Sequence, residues 1–122
     1  MKNSILLKKA DQLAHQVYKI TKRFPKEELF GLTSQIRRAA LSIPLNIVEG
    51  YARNSSADFK RFLLISFGSL KEIKYLLNFS FKENYISEAD YSELISLADE
   101  IGRMLWAAVK KLTRNKERIT RK

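Results

Sequence analysis

A proline interrupts the most regular helical stretch of this sequence, which reads LTSQIRRAALSIPLNIVEGYAR over residues 32–53. Its apolar and small residues recur at the three- and four-residue spacing of one buried helix face: Leu32, Ile36, Ala40, Ile43, Ile47 and Gly50 with Tyr51. Pro44 lies inside this pattern, where it removes one backbone hydrogen bond and crowds the carbonyl of Ala40, at a cost of about 3 kcal/mol in an ordinary helix interior. We therefore predict a helix that bends at Pro44.

The same stretch carries polar side chains along a second face. Their spacing aligns them on one side of an α-helix: Arg38, Ser42, Asn46, Glu49 and Arg53. With Ser66, Ser69 and Glu72 of the following segment, they could form a polar pocket between two helices. We interpret the set as a structural network in which Arg38 neutralises a buried carboxylate, while Asn46 and the serines satisfy backbone groups freed by Pro44. The alternative is a catalytic carboxylate pair, Glu49 with Glu72.

Four helical segments are predicted, over residues 4–23, 29–53, 56–82 and 88–113. The first and the fourth carry regular heptad-like apolar seams, from Leu6 to Phe24 and from Leu94 to Leu112. Ser55 with Asp58, and Ser87 with Asp90, resemble the capping pairs that begin helices. Long helices with short connections predict an all-α fold, an up-down-up-down antiparallel four-helix bundle over residues 1–113, followed by a basic tail over 114–122.

The third predicted helix has more apolar surface than a small bundle buries. Besides its core stripe it carries a second one: Phe62, Ile65, Leu76 and Phe79. Because a bundle helix needs about one apolar face, we predict that the second stripe forms an interface between subunits. Trp106 lies off the seam of the fourth helix and is expected to pack against a neighbouring helix or across an interface.

Positive charge is concentrated at one end of the chain. The formal net charge is +10, and residues 110–122 hold seven basic residues and one acid, which leaves only +4 for the remainder. Such a distribution favours a polyanionic partner, and nucleic acid rather than a membrane, because no amphipathic anchor with bulky apolar residues follows Leu112. The alternative is a solubilising tail without a partner.

Two groups of cations are the candidate nucleic-acid-binding residues. One surrounds the junction of the second and third helices and the other extends from the fourth: Arg37, Arg53, Lys60 and Arg61, then Lys110, Lys111, Arg114, Lys116 and Arg118. Phosphate contacts by Lys and Arg give salt-dependent and weakly sequence-specific binding. For the junction group, a merely solvated face is an equally good interpretation. Aromatic stacking platforms are not expected, because the aromatic residues follow the helical seams.

Enzymatic and metal chemistry find little support in the residue types present. The chain has no cysteine and a single histidine, His15, which lies in no Glu-x-x-His motif. We predict no catalytic residue, metal, cofactor or small-molecule substrate. No apolar run is long enough to cross a bilayer and no secretory apolar region follows Met1, so we expect a cytoplasmic protein.

A resemblance to a known family adds to this interpretation. It is most specific from Leu32 to Ala40 and in the elements that follow, Ser42-Ile43-Pro44, Asn46-Ile47 and Glu49-Gly50. It continues through Phe59, Phe62-Leu63 and Gly68-Ser69-Leu70-Lys71-Glu72. These residues resemble the bacterial four-helix-bundle proteins encoded in intervening sequences of the large ribosomal RNA gene, over about residues 7–112. Leu45 and Val48 depart mildly from the pattern, since family members often carry alanine there.

The resemblance implies a four-helix bundle that assembles as a homopentameric ring, and it supplies no catalytic residues. The family is similar in fold to the accessory protein of diversity-generating retroelements, which acts with a reverse transcriptase and RNA. We therefore expect a non-enzymatic homo-oligomer that binds nucleic acid, RNA rather than DNA, through basic surface patches. The alternative is an adaptor ring that holds a nucleic-acid enzyme such as a reverse transcriptase and leaves nucleic-acid contacts to it.

Overall fold

Four α-helices form the fold of the computed structural model, which describes residues 4–121, with side chains described as far as Arg114. They are α1 (Ile5–Thr21), α2 (Leu32–Tyr51), α3 (Ser56–Lys82) and α4 (Glu88–Arg121), and a short 3₁₀ helix at Lys26–Glu28 precedes α2. Each helix packs on the next one in the chain, and α4 packs on α1, so that the four enclose one core. The all-α prediction is confirmed.

Hydrogen bonds and ion pairs between helices fix their alternating directions. Ser4, at the start of α1, lies 2.7 Å from the hydroxyl of Tyr51, at the end of α2. The hydroxyls of Ser42 in α2 and Ser69 in α3 are also 2.7 Å apart. Ser66 of α3 donates to the carbonyl of Ile43 in α2, so residue numbers fall along one helix as they rise along the other. The Asn78–Tyr91 hydrogen bond and the Lys74–Asp99 ion pair show the same for α3 and α4, so the bundle runs up, down, up and down.

Serine side chains begin three of the helices. The hydroxyl oxygens of Ser4, Ser55 and Ser87 each accept a hydrogen bond from a backbone N–H three residues later, at 3.0–3.1 Å. The capping predictions at Ser55 and Ser87 are therefore confirmed. Asn84 has a φ of 64°, and Tyr85 N–H donates to the carbonyl of Ser80, a closing turn that ends α3 where the sequence predicts a break.

Two helix ends differ from the sequence-based expectation. α2 begins at Leu32 rather than at residue 29, because Gly31 adopts a non-helical conformation with φ −112° and ψ −107°. α4 continues to Arg121, past residue 113 where its apolar seam ends. The basic segment contains neither glycine nor proline, and its Lys, Arg and Glu residues are good helix formers, so the loss of apolar periodicity does not end the helix.

The core consists of the predicted seams with very small residues at the α2/α3 contact. Leu13, Val17, Ile36, Ile43, Leu63, Ile73, Ile101 and Leu105 are among the most deeply buried side chains. Gly50 lets α3 approach closely, because a Cβ atom there would lie only 2.8 Å from the ring of Phe59 and 3.4 Å from the Cβ of Phe62. In the part of the chain described, no helix is both long enough and apolar enough to span a membrane.

Adding one methyl group at Gly50 tests how tight this contact is. Gly50→Ala should destabilise the fold by up to about 2 kcal/mol, because overpacking costs about 1–3 kcal/mol and the better helix propensity of alanine returns about 1 kcal/mol. Urea denaturation at fixed protein concentration measures the difference.

The matched control is Gly68→Ala in α3. No atom lies within 4 Å of the position that a Cβ would take at Gly68, so this variant should gain about 0.5–1 kcal/mol from helix propensity. Equal stabilisation by both substitutions would show that α2 and α3 do not meet as closely as described.

Candidate nucleic-acid interface

An exposed indole ring lies between α3 and α4. Trp106 is 44% exposed and packs against Phe67, with 5.6 Å between the ring centroids and 39° between the ring planes. The indole lines two mainly apolar depressions of about 450 Å³ each. Leu70 and Gly102 line the first, and Leu64 lines the second. We call the two depressions together the α3/α4 groove.

Two rows of cationic side chains border the α3/α4 groove. Lys60, Lys71 and Lys74 belong to α3, and Arg103, Lys110 and Arg114 belong to α4. The spacing within each row is that of one helix face, so the folded chain brings two separate stripes into register. Asp99 is the single carboxylate among the described residues that line the groove. The groove therefore carries a formal charge of +5 from these side chains.

Most of these cations are not neutralised within the bundle. Asp99 pairs with Lys74, with 2.6 Å between Nζ and Oδ1. Among the described side chains, the other five cations of the groove have no carboxylate oxygen within 4.0 Å. The Lys71 ammonium lies 5.3 Å from the centroid of the Phe67 ring, at the edge of the aromatic pair. Positive charge and an apolar aromatic surface thus occur side by side.

Part of the predicted nucleic-acid-binding set lies in this groove. The structure brings Lys60, Lys110 and Arg114 together there, from two helices. Lys111 is exposed on α4 but does not line the groove. Lys116 and Arg118 lie outside the side chains that the structure describes.

Arg37 serves a different purpose from the one predicted. It is partly buried, and its Nε donates a hydrogen bond to Thr21 Oγ1 at 2.8 Å. Its guanidinium carbon lies 4.8 Å from the centroid of the Tyr18 ring. Because both partners belong to α1, Arg37 joins α2 to α1, and we withdraw it from the nucleic-acid-binding set.

The junction of α2 and α3 is charge-balanced rather than basic. The guanidinium carbons of Arg53 and Arg61 lie 4.6 and 4.5 Å from the ring centroid of Phe62. Arg53 donates to Glu49 at 2.9 Å, and Arg61 lies 3.8 Å from a carboxylate oxygen of Asp58. Two positive and two negative side chains attract a polyanion weakly, so Arg53 and Arg61 are poorer candidates than the sequence suggests. Phe62, predicted as an interface residue, lies between the two arginines.

The uncharged members of the predicted polar network connect α2 and α3. The side-chain amide of Asn46 donates to the carbonyl of Ser42 at 2.7 Å, and the hydroxyl of Ser42 meets that of Ser69. Fully buried Ser66 donates to the carbonyl of Ile43 at 2.9 Å. These donors reach the carbonyls of Ser42 and Ile43, the two residues before Pro44. The prediction had them satisfy the backbone carbonyl that Pro44 leaves free, which is that of Ala40.

The charged members of that network are exposed. Arg38 and Glu72 line one depression with Ser42 and Ser69, whereas Glu49 does not. Glu49 pairs with Arg53, and Arg38 has no carboxylate within 4.0 Å among the described side chains. The expected neutralisation of a buried carboxylate by Arg38 is therefore wrong, because long charged side chains keep their charged ends in water.

Glu49 and Glu72 do not form the carboxylate pair considered above. The Ser42–Ser69 and Ile43–Ser66 contacts place Glu72 level with Arg38, which is about 16 Å along the helix axis from Glu49. Paired carboxylates that cleave glycosidic bonds are only about 5–9.5 Å apart. The two side chains thus lie too far apart for shared acid–base chemistry.

The second apolar stripe of α3 is partly buried and partly exposed. Leu76 is only 5% exposed and belongs to the bundle core, so its assignment to an interface between subunits is wrong. α3 packs on both α2 and α4, and it consequently buries more of its circumference than one stripe. Ile65 and Phe79 remain exposed.

Exposed apolar residues of α2 extend this surface. Leu41, Leu45 and Val48 are exposed at helical spacing, and Phe30, just before α2, is 94% exposed. The α2/α3 register places Leu45 level with Ile65, and Phe30 lines a depression between the two helices with Ser42 and Ser69. We call these residues the α2/α3 face: Phe30, Leu41, Leu45, Val48, Ile65 and Phe79.

Sequence reasoning missed most of the α3/α4 groove. Trp106 was expected to pack against a neighbouring helix or across an interface, and it packs on Phe67 of α3. Phe67, Lys71, Lys74 and Arg103 were not selected. A signal was present in the helical spacing of these residues around the two aromatics. What the sequence does not state is the register of α3 against α4, which decides that the two stripes face one groove.

Comparison with known proteins places the chain among relatives. Residues 2–107 match the family described as 23S rRNA-intervening sequence protein. The chain belongs to this family. The resemblance drawn from the sequence is thereby confirmed, and the match spans all of α1, α2 and α3 and most of α4.

A solved structure supports the family's fold. The chain is similar to a crystal structure of a protein with unknown function from the S23 ribosomal protein family of Bacteroides thetaiotaomicron, with a TM-score of 0.82 and 28% sequence identity. The alignment covers 90% of this chain and 99% of that one. No curated protein matches the sequence.

Proposed function

We propose that this member of the family is a non-enzymatic RNA-binding accessory protein that acts as a homo-oligomer. The observation that supports the proposal is the α3/α4 groove, where five cations without an intramolecular carboxylate partner border an apolar surface. Lysine and arginine side chains that contact phosphates release counterions, which provides most of the affinity of such proteins for nucleic acid. The family's description in terms of 23S rRNA intervening sequences favours RNA as the polyanion.

Self-association is the second part of the proposal. The α2/α3 face presents six exposed apolar side chains, five from two neighbouring helices and Phe30 from just before α2, whereas surface hydrophobic residues that need no explanation are scattered singly. A contact between copies would remove them from water. A contact between two identical α3/α4 grooves is disfavoured, because it would bring like charges together.

Repetition of the groove around an oligomer would strengthen weak binding. Once one copy holds an RNA, the other copies meet it at high effective concentration, so modest individual sites add up to useful avidity. The resemblance to the family implies five copies. The proposal itself requires only that the α2/α3 face is covered and the α3/α4 groove is left open.

A charged substitution on the α2/α3 face tests the assembly. Phe79→Glu should lower the mass measured by sedimentation or light scattering, because a buried carboxylate would oppose the contact. Ile5→Glu is the control, since Ile5 is an exposed apolar residue of α1 and does not belong to that face. An unchanged mass for Phe79→Glu, or an equal loss for both variants, would contradict the proposed interface.

Salt-dependent titration tests the RNA surface. Fluorescence anisotropy with an RNA hairpin carrying an unpaired loop should give a log affinity that falls steeply with log salt concentration. Arg103→Gln/Lys110→Gln removes two cations of the groove and should flatten the slope by about 1.4, since each single-strand phosphate contact contributes about 0.7.

The matched control removes two cations of the charge-balanced junction. Arg53→Gln/Arg61→Gln changes the net charge by the same amount but should alter the slope much less, because these residues pair with Glu49 and Asp58. Equal effects of the two double variants would mean that total charge rather than the groove attracts RNA. If the wild type does not bind RNA, the adaptor role becomes the better account.

A further inference from the structure

We propose that the α3/α4 groove recognises single-stranded RNA by stacking an unpaired base on Trp106, while the bordering cations hold the flanking phosphates. This inference rests on the proposed RNA-binding function and specifies its substrate class. Electrostatic attraction alone would not distinguish a single strand from a duplex. Stacking does, because both faces of a base inside a duplex are already covered by its neighbours.

The indole of Trp106 is exposed and can be covered by a ligand. Trp106 lies off the buried seam of α4, and only Phe67 packs against it as an aromatic partner within the described residues. Almost half of its surface is exposed, which is costly for so large an apolar ring unless something covers it. A planar base is an appropriate cover.

The floor of the groove is apolar. Gly102 has no side chain, and Leu70 lies beneath it, 3.2 Å from where a Cβ would stand. The depression beside the indole therefore reaches down to apolar surface at Leu70 and Ala98. Its volume of about 450 Å³ has room for a nucleobase and part of its sugar.

The cations that border the groove favour a polyanionic occupant. Lys71 and Arg103 lie on opposite sides of the depression that Trp106 lines, and Lys110 lines both depressions. A backbone that crosses the groove would thus meet cations before and after the stacked base. Sequence-tolerant binding of single strands commonly combines such a cationic track with aromatic stacking.

Lys60 extends the site along α3. Lys60 and Lys71, the α3 lysines of the groove without a carboxylate partner among the described side chains, are about 16 Å apart along the axis of α3, which suits a short single strand of several nucleotides. The same groove of a second copy would place similar cations opposite these and is disfavoured. An acidic protein segment would match the charge but would leave the indole without a planar partner.

Intrinsic fluorescence gives a direct test, because Trp106 is the only tryptophan in the sequence. Oligouridylate should quench its emission in proportion to the fraction bound. An RNA duplex and polyglutamate supply negative charge without an accessible base, and both should bind more weakly at the same salt concentration with little quenching. Single-stranded DNA of matching length separates stacking from any preference for ribose, and tighter binding of DNA than RNA would overturn the choice of RNA.

Substitutions at the ring give a second readout, which is the affinity for a labelled oligouridylate measured by fluorescence anisotropy. Trp106→Ala should weaken oligouridylate binding about 5- to 150-fold, and Trp106→Phe should retain most of the affinity because it can still stack. Tyr75→Ala is the matched control, since Tyr75 is an aromatic residue of α3 that is 67% exposed and does not line the groove. It should bind like the wild type.

The outcomes separate this inference from the function on which it rests. If the wild type binds neither RNA, the proposed function fails. If it binds RNA but Trp106→Ala binds equally well, or if duplex and single strand quench alike, RNA binding stands and base stacking is overturned. Tight binding of polyglutamate with the same quenching would identify an acidic protein as the occupant and would also overturn it.

Discussion

The close packing of α2 against α3 is the constraint on which the other surfaces depend. Gly50 leaves room for the ring of Phe59, and Ser66 is buried deeply enough to donate to the backbone carbonyl of Ile43. With small residues at the contact, the larger apolar residues of both helices turn either into the core or outward. The contact therefore fixes the register that assembles the α2/α3 face, and it orients α3 so that its other side meets α4.

The two outer surfaces of α3 differ in chemistry, and that difference underlies the proposed function. On the side shared with α2, arginines are balanced by Glu49 and Asp58, and exposed side chains such as Ile65 and Phe79 are apolar. On the side shared with α4, lysines and arginines have Asp99 as the sole acid among the described groove residues. One helix can thus contribute to an assembly surface and to a polyanion surface without conflict.

The helices and most of the core could be predicted, because they follow from periodicity, prolines and capping serines that are local in sequence. The burial of Leu76 and the groove around Trp106 depend on how the helices pack against one another. Leu76 was assigned to an interface because its burial requires knowledge of how α3 sits between α2 and α4. The groove around Trp106 depends on the α3/α4 register, which no local pattern states. The neutralisation of Arg53 was an exception, since Glu49 lies four residues before it and could have been recognised.

The central claim is that RNA contacts the α3/α4 groove and leaves the α2/α3 face to other copies of the chain. Ultraviolet crosslinking of a bromouridine-substituted single strand to the intact wild-type protein, followed by mass spectrometry of the crosslinked peptides, locates the contact directly. We expect crosslinks within the segments that carry Phe67, Trp106 and Lys110. Crosslinks concentrated at Phe30, Phe62 or Phe79, with none at Trp106, would contradict the assignment of the two surfaces.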